Sequence, residues 1–110
     1  MNRKDLREEL YKRDGPGRHC HYCKIEEQDF IEIWGTFRPK PIFHGRRGRR
    51  LEIDHKDNKL GDNPENCVLA CYACNNAKSD VFSYEEFKKV GAVIEKIWQE
   101  RMERKKQGQI

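Results

Sequence analysis

Apolar positions in this chain come in short, separate groups whose spacing changes along the sequence. Leu6 and Leu10 stand one helical turn apart among charged neighbours, which predicts a helix over 2–13, closed by Asp14, Gly15, Pro16 and Gly17. Phe30, Ile31, Ile33, Trp34, Phe37, Ile42 and Phe43 carry a β-branched and aromatic signature. They predict one or two strands between 30 and 43, interrupted at Pro39 and Pro41. Leu51 to Asp54 reads as a short strand, and residues 56–66, rich in Asn, Asp and Gly, as a loop. Cys67 to Ala70 is a second strand, and a short helix follows Cys71 and Cys74 through about Lys78. Ser83 and Glu86 then have the spacing of a capping box, in which each side chain meets the other's backbone amide. Beyond it Phe87, Val90, Ile94, Ile97, Trp98 and Met102 share one helical face, giving a helix over about 84–106 and a fraying tail.

Composition narrows the class. Of 110 residues, 35% are hydrophobic and 38% charged, so the core is thin for one domain and a metal staple would supplement it. No apolar run is long enough to span a bilayer. The first residues, Met1 to Glu9, lack the apolar segment of a signal peptide, so the expected location is cytoplasmic. In a reducing compartment the 5 cysteines favour metal binding over a disulfide framework.

Those cysteines hold the most specific pattern in the chain. Cys20 and Cys23 form one Cys-X-X-Cys turn, and Cys71 and Cys74 a second. Two residues between thiolates let both sulfurs of a turn reach one tetrahedral ion, and two turns complete a closed structural zinc site. His19 and His21 flank Cys20 as alternative ligands, whereas Cys67 lies among strand residues and reads as a small core side chain.

Between these turns the order of residues becomes informative. Arg13-Asp14-Gly15 precedes the first pair. Asp54-His55 ends a strand, Asn66 precedes an apolar strand, and Cys71-X-X-Cys74-Asn75-X-X-Lys78 enters a helix. From about Asp14 to Asp80 this order resembles the HNH endonucleases, in the branch braced by two Cys-X-X-Cys knuckles. The resemblance implies a small zinc-braced α+β fold of the ββα-metal (His-Me finger) type with flanking helices. It further implies metal-dependent hydrolysis of phosphodiester bonds in DNA, leaving 5′-phosphate and 3′-hydroxyl ends.

Carried over residue by residue, the resemblance makes His55 the general base that deprotonates the attacking water. Asp54 and Asn75 would hold one divalent ion, Mg²⁺ or Mn²⁺, since both are hard oxygen donors. Asn66 would pin the loop that orients His55. Lys78, one turn beyond Asn75, would contact phosphate. The chain departs from the family where Lys56, Asp57 and Asn58 follow Asp-His in place of a nearby proline, and where the last letter of the motif is Asn75 rather than His. Asn76 is the rival to Asn75 as ligand.

Charge fits a polyanionic partner. The net charge of +4 is modest, but Arg38, Lys40, Arg46, Arg47, Arg49 and Arg50 form an acid-free run leading into the strand that bears Asp54 and His55. Arg46, Arg47, Arg49 and Arg50 are the expected DNA-backbone contacts, supplying affinity through counterion release. The expectation is therefore one HNH nuclease domain over 1–110, with its core at about 14–80. The C-terminal helix, ~35 Å long at 1.5 Å per residue, is long for so small a core and would offer its stripe to a homodimer. The alternative is a catalytically inactive zinc-ribbon module that binds DNA.

Overall fold

A computed structural model describes residues 1–36 and 50–108, the side chains of 34–36 excepted. The order of elements is α1 (Arg3–Asp14), α2 (Glu27–Thr36), β1 (Glu52–His55), β2 (Cys67–Ala70), α3 (Tyr72–Lys78) and α4 (Tyr84–Lys106). This is an α+β arrangement in which an antiparallel strand pair leads into a helix, with further helices around it.

Helix α1 starts where Asn2 accepts the Asp5 amide at 2.8 Å and stops at Gly15, whose φ of +75° suits glycine. Leu6 and Leu10 are fully buried. Arg13, at its end, donates to the carbonyls of Pro64 (3.0 Å) and Cys67 (3.4 Å), fastening α1 to the entry of β2.

The strand pair has the register Glu52↔Ala70, Ile53↔Leu69, Asp54↔Val68 and His55↔Cys67. Opposed residues share a face and alternate along the strand. Glu52 and Asp54 therefore point to one face, while Ile53 and His55 point to the other with Leu69 and Cys67. Glu27 of α2 anchors the approach to β1, its carboxylate accepting the Leu51 amide at 2.8 Å and Arg18 at 2.7 Å.

The segment expected to form strands is helical as far as it is described. In α2, Phe30 and Ile33 are buried one turn apart while Glu32 is exposed, a period of three to four rather than two. Glu27 and Asp29 occupy the first turn, where acids favour a helix. Packing overrode β-propensity: Phe30 meets Trp98 of α4 edge to face at 5.8 Å, and Glu32 pairs with Lys105 at 2.8 Å. Phe37, Pro39, Pro41, Ile42 and Phe43 lie outside the described residues.

Helix α4 begins with the capping box of Ser83 and Glu86, both reciprocal bonds being present at 2.9 and 3.1 Å. Phe87, Gly91 and Trp98 are buried, with Val90, Ile94 and Met102 partly so. Ile97, expected on this face, is 41% exposed, because at about 100° per residue it sits at the edge of the arc centred on Phe87 and Trp98. The stripe is thus already covered by the chain's own core, and the structure gives the homodimer no support. At Gly91 the helix touches the backbone of the first Cys-X-X-Cys turn so closely that a Cβ would lie 2.6 Å from the Tyr22 carbonyl oxygen. No helix among the described residues is long and apolar enough to cross a membrane.

Candidate metal centre and active site

The two Cys-X-X-Cys turns converge. Cys20 and Cys23 lie in the loop after α1, Cys71 caps α3 and Cys74 lies in its first turn, and all four sulfurs fall within 4.8 Å of one another, buried. Two N–H groups point at the cluster: the Trp98 indole reaches Cys23 Sγ at 3.2 Å, and the Cys74 amide reaches Cys71 Sγ at 3.4 Å. Such donors favour thiolate over thiol. Burial opposes a Cys20 thiolate, yet hydrogen bonds from Cys23, Cys71 and Cys74 outweigh it and hold that group well below the ordinary thiol range. Contacts with Cys20 and Cys23 push Cys71 up, and the same sulfurs with Cys71 push Cys74 up. Four crowded sulfurs cannot all ionise unaided; a tetrahedral cation removes that conflict, so the donor set fits structural zinc.

His19 and His21 stay outside this shell. His19 is absent from the four-sulfur cluster and its backbone forms a β-bridge with Glu26, while His21 stacks on Tyr84 with its Nε2 2.7 Å from the Tyr84 hydroxyl. The His21 backbone amide donates to the Leu69 carbonyl at 2.8 Å, so the first knuckle is bonded directly to β2.

At the sheet, α3 covers the face that carries Glu52 and Asp54. Asn75 turns towards it and donates to the Glu52 carboxylate at 2.8 Å. Asp54 is 6% exposed and accepts from the Tyr22 hydroxyl and from Lys78, whose ammonium lies 3.3 Å from Oδ2. Burial and the bond to Asp54 push the Tyr22 phenol upward, so it remains a donor. The structure therefore joins Asp54 to Tyr22 and Lys78, and Asn75 to Glu52. Lys78, expected to contact phosphate, is 2% exposed and also donates to the His55 carbonyl at 3.1 Å. The reason is local: a buried carboxylate needs a cation, and Lys78 on α3 is the nearest one described.

His55 occupies the other face, at the end of β1, with its Nε2 hydrogen-bonded to the Asp62 carboxylate. That bond holds Asp62 below the usual carboxyl range, so it accepts only, and the imidazole proton belongs on Nε2. The free lone pair is then on Nδ1. Asn66 is 5% exposed and ties the intervening loop: its amide group donates to the carbonyls of Asp57 and Gly61 at 2.9 Å each, and its oxygen accepts the Asp57 amide at 3.0 Å. The Lys56 amide closes the loop neck on the Asn66 carbonyl at 2.7 Å.

Beside the strand end an open groove is lined by Lys56, Lys59 and Lys78 together with Asp57, Asp80 and Tyr84. Arg46, Arg47 and Arg49 lie outside the described residues, and Arg50 is exposed two residues before the start of β1. Sequence reasoning missed Asp62, Tyr22, Glu52 and the two groove lysines Lys56 and Lys59. Glu52 alone had a local signal, being two residues from Asp54 and hence on the same face.

Comparison with known proteins agrees with this geometry. Residues 41–81 match the family model of the HNH endonucleases. Among solved structures the chain is similar to the rare-cutting HNH restriction endonuclease PacI, with a TM-score of 0.65 and 29% identity, covering 89% of this chain and 77% of that one. No curated protein matches it. The strand pair, the helix α3 and the four-cysteine cluster define an HNH-like α+β fold, and the segment that carries them is similar to the HNH endonucleases.

Proposed function

We propose that this protein is a metal-dependent endonuclease that hydrolyses DNA phosphodiester bonds, with His55 as general base and one divalent ion held by Asp54 and Asn75. The observation that carries the reading is the arrangement at the end of β1. His55 donates its Nε2–H to the Asp62 carboxylate, which leaves the Nδ1 lone pair of the neutral ring for water, while Asp54 lies on the sheet face covered by α3, the helix that carries Asn75.

Phosphodiester hydrolysis needs a proton taken from water and negative charge stabilised on the phosphoryl and leaving oxygens. His55 Nδ1 accepts the proton, and Asp62 keeps the ring oriented and stabilises the imidazolium that results. Asn66 fixes the loop carrying Asp62, so its role is positioning. Asp54, Asn75 and the adjacent Glu52 supply oxygen donors, a set that suits Mg²⁺ or Mn²⁺. When bound, the ion would polarise the phosphate. The buried Asp54 fits a cation because it already draws one, the Lys78 ammonium, which a divalent ion would have to displace. Lys56 and Lys59 in the groove, with Arg46, Arg47, Arg49 and Arg50 preceding β1 in the sequence, are the backbone contacts.

An inactive zinc-braced DNA-binding module is the second reading, and the satisfied Asp54–Lys78 pair is the observation that favours it. Cleavage of supercoiled plasmid separates the two. The nuclease reading expects relaxed or linear product with Mg²⁺ or Mn²⁺, none with chelator, and little with Asn75→Ala. DNA binding without any product in either ion would establish the inactive module. Normal cleavage by Asn75→Ala together with loss in Asn76→Ala would move the ligand by one residue.

A further inference from the structure

The face of the sheet opposite Asp54 holds a second group of metal-ligating side chains. His55 and Cys67 are directly opposed in the strand register, so their side chains leave the same face, and the loop between them returns Asp62 to the same point. One ring nitrogen of His55, one oxygen of Asp62 and the sulfur of Cys67 lie within 4.8 Å of one another. We propose that His55, Asp62 and Cys67 form an inhibitory site for a thiophilic divalent cation such as Zn²⁺, distinct from both the four-cysteine cluster and the Asp54–Asn75 site.

The donor set selects the ion. One thiolate, one imidazole and one carboxylate suit Zn²⁺, Cd²⁺ or Co²⁺, whereas Mg²⁺ prefers oxygen alone. A tetrahedral ion wants its ligand atoms ~3.5 Å apart, given bonds of about 2.0–2.3 Å. The His55 ring nitrogen and the Asp62 oxygen, now hydrogen-bonded, must part to admit the ion, and the shift falls on Asp62, whose partly exposed side chain otherwise meets Arg3 at 3.6 Å. Cys67 sits at the buried floor with its thiol 3.9 Å from the Gly61 carbonyl, while the side chains of His55 and Asp62 are 24% and 33% exposed, leaving solvent access for the ion and a fourth position for water.

Inhibition follows from binding, and this part rests on the reading of His55 as general base. The nitrogen facing Asp62 is Nε2, so the cation takes the place of the Nε2 proton. The neutral ring then carries its remaining proton on Nδ1, where the lone pair for water had been. Cys67 ionises on binding, so one thiol proton is released to solvent. The base is lost without any change in the fold.

The test is a Co²⁺ titration of full-length protein whose four-cysteine site is filled with zinc. The wild type should take up a further equivalent with a thiolate-to-cobalt charge-transfer band and release of a proton. Cys67→Ala should lose the band and bind at least about tenfold more weakly, since losing a ligand costs no less than losing its supporting partner. Asp62→Asn, altered on the exposed loop where folding is not at stake, should weaken binding while keeping the band. Added Zn²⁺ should inhibit Mg²⁺-dependent cleavage by the wild type, and Cys67→Ala should cleave normally yet resist the added zinc. Absence of a further equivalent in the wild type, or unchanged affinity in both variants, would overturn the site. A further equivalent in a protein that cleaves no DNA would uphold the site and remove the nuclease reading instead.

Discussion

The Lys78 ammonium lies 3.3 Å from the Asp54 carboxylate, and both side chains are almost entirely buried between β1 and α3. Removing one member of such a pair leaves the other charge uncompensated, at a cost of roughly 3–5 kcal/mol. Lys78→Met should therefore lower the unfolding free energy by about that amount in metal-free buffer. Because Asp54 then lacks its cation, Mn²⁺ should raise the melting temperature of Lys78→Met more than that of the wild type. Differential scanning calorimetry with and without Mn²⁺ checks both halves, and equal Mn²⁺ shifts in the two proteins would separate Asp54 from metal binding.

Gly91 is a place where backbone meets backbone. A Cβ there would lie 2.6 Å from the Tyr22 carbonyl oxygen, and Tyr22 in turn bonds Asp54. Gly91→Ala should force α4 away from the knuckle and destabilise the fold by about 1–3 kcal/mol, the range for overpacking. Val93→Ala, on the exposed side of the same helix, should stay within about 0.5 kcal/mol of wild type. Chemical denaturation of both variants measures the contrast.

The four-cysteine cluster supports a structural role for zinc, with all four sulfurs buried in a thin core. Protein purified without chelator should contain one tightly held zinc per chain by elemental analysis. Its removal should unfold much of the domain, because the binding free energy is folding free energy. A circular-dichroism spectrum unchanged after complete zinc removal would contradict this.

What the sequence disclosed and what it hid follow from the range of the interactions. Cys20, Cys23, Cys71 and Cys74 were legible because ligand spacing within a turn is local, and Ser83 and Glu86 because a cap spans one turn. The strand pair was legible too, since Glu52–His55 and Cys67–Ala70 are bounded by turn residues. Helix α2 was misread because Phe30, Ile31 and Ile33 favour strands intrinsically, while what decides their state is Trp98, far away in the chain. Tyr22 and Asp62 were hidden for the same reason: each reaches the site through the folding of a loop, and neither carries a spacing rule. Lys78 was visible as a cation, but its burial depends on where Asp54 points.

Replacing Arg46, Arg47, Arg49 and Arg50 together by Gln should weaken DNA binding and flatten its salt dependence, by up to ~0.9 in slope per lost phosphate contact. Binding isotherms across a salt series give the slope directly. A slope equal to that of the wild type would leave the basic run without a role at the DNA.

The central claim is that His55 removes the proton from the attacking water, and one comparison tests it most directly. Wild type and His55→Ala, shown to have equal zinc content and equal circular dichroism, are incubated with supercoiled plasmid in Mg²⁺ or Mn²⁺. The account predicts nicking or linearisation by the wild type and a loss of at least about 100-fold in the variant, the low end of what general-base catalysis contributes. Cleavage by His55→Ala at the wild-type rate would contradict it.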